Sequence, residues 1–188
     1  MIYLIAGIVL FLGIHSVRAF APSFRDAQVA QSPMRWKMIY SVISIAGFAL
    51  LIWGYGQARQ DNVFLYELPT WLKHVQFLLM IPAMILLVAS QLPTGRIKKA
   101  VKNPMTLAVK IWAFSHLLVN GDLASVLLFG SFLAWAVLLV ISAKKREQTF
   151  PASTSFVVDI VAVIGGIGLW VAFMLALHEW LIGVPVIA

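Results

Sequence analysis

Mainly apolar runs broken by short polar punctuation set the pattern of this chain. The runs fall at 2–20, 37–57, 70–91, 104–120, 122–143 and 156–182. Each comes near the roughly 20 residues that a helix needs to cross a bilayer, so six spanning helices are predicted. The fourth run is short and ends at Asn120-Gly121-Asp122, a tight-turn signal between two helices. Fused, the fourth and fifth runs would form one helix of about 40 residues, too long for a bilayer core. The first run, "MIYLIAGIVLFLGIHSVRAFAPS", lacks the positive segment that opens a signal peptide. It is read as a retained first helix. No internal repeat or low-complexity tract interrupts the pattern. The expectation is an all-α polytopic transmembrane bundle of about six helices, with 1–188 as a single domain.

Composition agrees with the pattern. Apolar residues make up 62% of the chain and charged residues 11%, whereas soluble domains run near 45–50% and 25%. The net charge of +7 bears on orientation in the bilayer. Arg18, Arg25, Arg35 and Lys37 fall in the first loop, and Arg96, Lys98, Lys99 and Lys102 in the third. Lys144, Lys145 and Arg146 fall in the fifth. The even loops hold only Arg59 and Lys73, beside Asp61 and Glu67. With six spans, all the positive loops share one face. The positive-inside rule places that face in the cytoplasm and both termini on the opposite side. The basic residues are spread over short loops, so nucleic-acid binding is not expected. Trp36, Trp53, Tyr55, Tyr66, Trp71 and Trp180 lie near predicted helix ends, as an interfacial aromatic belt would.

The chain has no cysteine. A metal or cofactor must therefore be held by His, Met, Asp, Glu, Tyr or backbone. Ionisable side chains inside a membrane usually face the bundle interior, and four histidines fall in or beside spans: His15, His74, His116 and His178. Histidine is also a principal haem ligand. Counting residues from helix ends places His74, His116 and His178 near the outer side, at matched depth. His15 lies near the inner end of the first helix. Trp112, His116 and Asn120 share one helix face, which suits either a cofactor pocket or a packing seam with one polar bond. Lys110 sits nearer the cytoplasm, where it can snorkel, pair with Asp159, or meet a propionate. Arg18 follows His15 by three residues; it is one more positive-inside residue or a bidentate clamp for a carboxylate. Tyr40, Ser44 and Gly47, and Gly165, Gly166 and Gly168, read as close helix contacts. No Ser-His-Asp, HExxH or P-loop pattern is present, and no span holds paired carboxylates.

The segments "LGIHSVR" (12–18), "KMIYSVISIAGFALLIWGYGQAR" (37–59), "WLKHVQFLLMIPAMILLVA" (71–89), "PMTLAVKIWAFSHLLVNGDLASVLLFGSFLAWAV" (104–137) and "HEWLIGVP" (178–185) resemble the NnrU family. The likeness covers nearly the whole chain, and "HLLVNGDLAS" is its most specific part. The resemblance implies a multi-pass protein of the bacterial cytoplasmic (inner) membrane linked to denitrification and nitrogen-oxide metabolism. It also implies a relation to plant zeta-carotene isomerase, a membrane haem b enzyme. That enzyme's two histidine motifs match His15 in "GIHS" and His116 in "FSHLL". The resemblance thus prefers a His15–His116 axial pair with Arg18 and Lys110 toward the propionates, whereas depth counting prefers His74, His116 and His178. One departure stands out: the family usually has His-Pro where this chain has Asn103-Pro104. Asn is a poor haem ligand but a good N-cap.

Two functions follow as expectations. The first is a haem b protein with redox or isomerase-like chemistry, taking a small hydrophobic or nitrogen-oxide ligand. The second is a non-catalytic membrane component that assists assembly or signalling in nitrogen-oxide respiration, through a respiratory-protein partner or as a homo-oligomer. A carrier role is weakened by the missing repeat symmetry.

Overall fold

The structure, a computed structural model, describes residues 1–60, 63–144 and 154–187. Asp61, Lys145 and Arg146 from the loop-charge count lie outside them, as does the side chain of Lys144. Among the described residues the helices are α1 (Ile2–Phe20), α2 (Pro22–Gln31), α3 (Pro33–Ala58), α4 (Leu72–Gln91), α5 (Arg96–Val101), α6 (Pro104–Leu117), α7 (Leu123–Lys144), α8 (Phe156–Ala172) and α9 (His178–Ile182). A π turn, Phe173–Leu177, joins α8 to α9. Five segments are long and apolar enough to cross a membrane: α1, α3, α4, α7 and the run from α8 through α9. The fourth apolar run of the sequence forms α6, which is not among these five. Its 14 residues span only about 21 Å, short of the roughly 30 Å hydrocarbon core. Pro104 starts it and the Asn-Gly-Asp corner stops it. Sequence reasoning placed the five long spans and a helix at each of the six apolar runs, but missed the short helices α2 and α5.

Leu4, near the start of α1, and Ile182, at the end of α9, pack in one cluster at one end of the bundle. We call this the outer end and the opposite one the inner end.

The bundle has two halves. In one, Leu4, Leu12, Leu51, Tyr55, Ala113, Leu128, Phe129 and Phe132 join α1, α3, α6 and α7. In the other, Met80, Ala83 and Met84 of α4 meet Ile111 and Trp112 of α6 and Leu169, Trp170 and Phe173 of the last span. Trp112 packs against both clusters. The short helix is therefore the shared wall between the halves.

Lipid is as apolar as the side chains it would replace, so close backbone packing must hold such helices together. Along the α1–α3 seam, a Cβ on Gly7 would lie 2.6 Å from the Leu51 nitrogen, and one on Gly47 2.8 Å from that of Phe11. One on Gly54 would lie 2.5 Å from the nitrogen of Leu4. Gly166 does the same for α8, lying directly against the backbone of Ile85 in α4. The close-contact reading of Gly47 and Gly166 holds.

Asp159 does not pair with Lys110. From α8 it reaches the start of α5, where Oδ2 accepts from the Arg96 amide at 3.0 Å and Oδ1 from the Ile97 amide at 3.1 Å. It is only 8% exposed, and these two amides satisfy a carboxylate that hydrocarbon would not tolerate alone. Gly95 leaves the room, since any Cβ there would collide with Oδ1 of Asp159. Lys98 closes the neighbouring helix end, donating to the carbonyls of Ser90 (3.0 Å) and Leu92 (2.8 Å) at the end of α4. Asn103 sits at the N-cap of α6, yet its side chain makes no capping bond.

Two substitutions test this packing in detergent-solubilised protein. Gly54→Val should drive α1 and α3 apart and lower stability by about 1–3 kcal/mol, read as a fall in thermal midpoint. Asp159→Ala should leave two amides unpaired, cost about 1–3 kcal/mol and expose the 92–96 segment to protease. An unchanged midpoint and cleavage pattern would contradict the Asp159 assignment.

Candidate functional site

Polar side chains gather in two places, one at each end of the bundle.

The outer place is the Asn-Gly-Asp corner between α6 and α7. Although it sits at a turn, Asp122 is buried, only 6% exposed. Asp122 is the N-cap of α7: Oδ1 accepts from the Ser125 amide at 2.9 Å, and Oδ2 from the Ser125 hydroxyl at 2.6 Å. That hydroxyl's one hydrogen is committed to the carboxylate. The 2.8 Å contact between Tyr55 and Ser125 must then run from the phenol to the serine oxygen. The result is a directed chain from Tyr55 through Ser125 to Asp122, linking α3 to α7 in a fully buried setting. The positive end of the α7 dipole favours the anion as well. Tyr55, assigned from sequence to an aromatic belt, is buried as part of this chain.

The corner is also clamped from outside. The amides of Leu65 and Tyr66 donate to the Gly121 carbonyl at 2.8 and 3.3 Å, and the Leu123 amide donates to the Val63 carbonyl at 2.8 Å. The Tyr66 hydroxyl donates to the carbonyls of Leu117 (3.0 Å) and Asn120 (3.3 Å), which the helix end would leave unpaired. Burial raises the Tyr66 pKa above its ordinary value, and the Asp122 charge pushes the same way. The phenol therefore stays protonated and donating at neutral pH. Asn120 turns inward and donates to the His116 carbonyl at 2.9 Å.

His116 stands one turn inside the corner and is 8% exposed. Its Nδ1 lies 2.8 Å from the Trp112 carbonyl. A carbonyl only accepts, so Nδ1 carries the proton. The ring stacks on Phe129, with centroids 4.7 Å apart, and also touches Trp112. Of the other two outer histidines, His74 is exposed, and half-buried His178 donates from Nδ1 to the Val184 carbonyl at 2.7 Å. Among the described residues, no three His, Asp or Glu side chains converge in a way that would hold a metal ion.

The inner place is a cleft of about 440 Å³ where α1, α2 and α3 meet, lined by His15, Arg18, Arg25, Trp36, Lys37 and Tyr40 among others. Its size falls in the range of small-molecule sites. Pro22 and Pro33 start α2 and α3, which folds α2 back beside the end of α1 and makes the cleft. His15 Nδ1 lies 2.7 Å from the Phe11 carbonyl, so its proton is also on Nδ1. Nε2 is left as a lone-pair donor with no hydrogen bond among the described residues. Phe11, Tyr40 and Trp135 surround the ring at centroid distances of 4.2, 5.2 and 6.4 Å. Trp135 is fixed in turn by donating to the Ser16 hydroxyl at 2.9 Å. Arg25 pairs with Asp26 at 2.7 Å. Arg18 and Lys37 have no protein partner among the described residues. Sequence reasoning named His15 and Arg18 but missed Arg25, Lys37 and Tyr40 as their companions, because only the turn at Ala21 brings α2 and α3 over α1.

The four residues named as one cofactor site divide between two surroundings. His15 and Arg18 share the inner cleft. His116 belongs to the outer half, and half-buried Lys110 lines no part of the cleft. Helix α7 measures the separation. His116 packs on Phe129 and His15 on Trp135, six residues and about 9 Å further along the helix axis. Phe132 fills the interval, touching Phe11, Trp112 and Trp135 at centroid distances of 5.9, 5.4 and 6.3 Å.

Apolar helices that cross a membrane, a buried polar corner and a cationic cleft at the opposite end define a multi-pass helical membrane protein. The chain belongs to the NnrU family: the family model described as NnrU protein matches residues 3–186. No curated protein and no solved structure matches it.

The corner predicts graded losses. Tyr55→Phe removes one hydrogen bond and should cost about 0.5–1.5 kcal/mol. Asp122→Ala removes the helix cap and strands two donors, and should cost more. The double variant should be less destabilised than the sum of the two, since both act on Ser125. Thermal denaturation in detergent measures all three, and strict additivity would contradict the relay.

Proposed function

We propose that the protein is a haem b protein of the bacterial inner membrane, linked to nitrogen-oxide metabolism, with its site in the inner cleft. The observation that supports this reading is the pairing of a ligand-ready imidazole with unpaired cations. His15 offers Nε2 while the Phe11 carbonyl fixes its other nitrogen, the arrangement that orients histidine ligands and raises their basicity. Arg18 and Lys37 line the same cleft and can receive two carboxylates, Arg18 in bidentate fashion. The walls of Trp36 and Tyr40 suit a flat apolar body. His15 and Arg18 are the residues that would hold a haem in this cleft, whose lining does not include His116 or Lys110.

When bound, haem b would supply redox chemistry or, as the family resemblance implies, a centre for double-bond isomerisation. The protein's own part is to hold the iron side with His15, to anchor the acid groups at the membrane surface, and to exclude water with Phe11 and Trp135. Asn103 stands where the family usually has a histidine, so this chain lacks that ligand and proton carrier at the start of α6. Redox chemistry is therefore favoured over isomerisation in this protein.

A second reading is a non-catalytic membrane component of nitrogen-oxide respiration. It draws on the outer corner, where Asp122, Ser125, Tyr55 and Asn120 satisfy one another and leave no group over for chemistry.

Protein purified from haem-replete cells should carry a Soret band. His15→Ala should abolish it, and Arg18→Ala should weaken retention of the pigment through detergent washes. A colourless wild-type protein that co-purifies with a respiratory partner would select the second reading.

A further inference from the structure

We infer that the cleft between α1, α2 and α3 takes the phosphodiester of an anionic lipid headgroup, held by Arg18 and Lys37, with a headgroup hydroxyl on His15. The inference stands apart from the haem reading and competes with it for the same two cations. Phosphate oxygens, free or esterified, are the chemistry recognised, and the test separates the two sources.

Charge is the first argument. Arg18, Arg25 and Lys37 line the cleft, and no acidic side chain is among the lining residues described. The nearby Asp26 is taken up by Arg25 at 2.7 Å, so it does not neutralise the other two. Uncompensated cations between helices at a membrane surface attract anionic headgroups, and a guanidinium matches two phosphate oxygens at once. The lysine ammonium adds a compact point charge.

Shape is the second. About 440 Å³ holds a headgroup but not two acyl chains, so the rest of a lipid needs an apolar track beside the cleft. Met34, Met38, Val42 and Ile45 of α3 are all exposed and follow one another at spacings of three and four residues, one above the next on the helix. Around α3 this stripe borders Lys37 and Ser41, both of which line the cleft. It runs from the cleft toward the middle of the bundle, where an acyl chain belongs. Phe24 of α2 is exposed as well and packs edge-on against Trp36 of the lining at 6.2 Å, which gives the cleft an aromatic rim of interfacial type.

The third argument is the acceptor. The Phe11 carbonyl holds the proton of His15 on Nδ1, which leaves Nε2 able only to accept. Phe11, Tyr40 and Trp135 crowd the imidazole, and a small hydrogen-bonding group suits the nitrogen that remains. An ionised phosphodiester has no proton to give it, but a headgroup hydroxyl has. Glycerol therefore fits the cleft better than a methyl ester, and a choline cation would be repelled by Arg18 and Lys37.

The test uses full-length protein in a non-ionic detergent, titrated with phosphatidylglycerol, phosphatidylmethanol, phosphatidylcholine or sodium phosphate while the thermal midpoint is followed. A ligand that binds only the folded protein raises that midpoint. Phosphatidylglycerol should raise it, and phosphatidylcholine and sodium phosphate at the same concentration should not. The apparent affinity for phosphatidylglycerol should fall about tenfold or more in the double variant Arg18→Gln, Lys37→Gln. It should hold in Arg35→Gln, which removes an exposed cation outside the cleft. Phosphatidylmethanol should bind about three- to tenfold more weakly than phosphatidylglycerol, and His15→Phe should erase that difference. Equal losses in Arg35→Gln and the double variant would reduce the effect to general surface charge and overturn the inference. So would sodium phosphate that stabilises as well as the lipid does. The Soret region is read on the same preparation. Colourless protein that binds phosphatidylglycerol would sink the haem reading alone, and pigmented protein indifferent to phosphatidylglycerol would sink this inference alone.

Discussion

The outer corner between α6 and α7 rests on one buried carboxylate. Hydrocarbon offers Asp122 no water, so the protein must supply every partner itself. It does so with the first turn of α7, the Ser125 hydroxyl and, through that hydroxyl, Tyr55 of α3. The loop from 63 to 66 then closes over the corner by backbone bonds to Gly121 and Leu123. Three segments distant in sequence become one rigid joint, and that joint sets where α6 ends. Asp159 plays a similar part at the inner end, holding α5 to α8. Both carboxylates of the bundle interior are thus structural.

The fixed end of α6 shapes everything inward of it. A helix of 14 residues cannot cross the core unaided, and it works as the wall between two packing clusters. Trp112 reaches into both. The aromatic layer built on it, with Phe129, Phe132 and Trp135 of α7, divides the interior into an outer region around His116 and an inner region around His15. The layer that stabilises the bundle is also what keeps the two histidines apart. The cleft lies where the apolar packing ends, between α1, α2 and α3, at the end of the molecule that carries the basic loops.

Much of the fold was legible in the sequence. Each of the six apolar runs forms a helix, five of them long enough to cross a membrane, and α1 runs over the residues expected. The Asn-Gly-Asp turn was also read correctly as the joint between α6 and α7. The short helices α2 and α5 were missed because neither is long or apolar enough to give a membrane signal, and each owes its position to neighbours. The candidate site was legible only in part. His15 and Arg18 share a helix face three residues apart, so local periodicity could pair them. Lys37 and Tyr40 join them through a chain reversal, which residue spacing does not encode.

The sequence by itself determined that this is a multi-pass helical bundle, since the cost of exposing backbone in lipid leaves a long apolar run no other form. It also determined which residues carry the available chemistry, since without cysteine the histidines are the strongest ligands left. Only the tertiary structure decided how those residues are grouped. Depth counting grouped His74, His116 and His178, and family resemblance paired His15 with His116, yet both methods count along single helices. Grouping depends on rotation and offset between helices, and these are set by where glycines permit contact and where aromatic rings do not. By that measure His116 belongs to the packed interior, and His15 to the cleft.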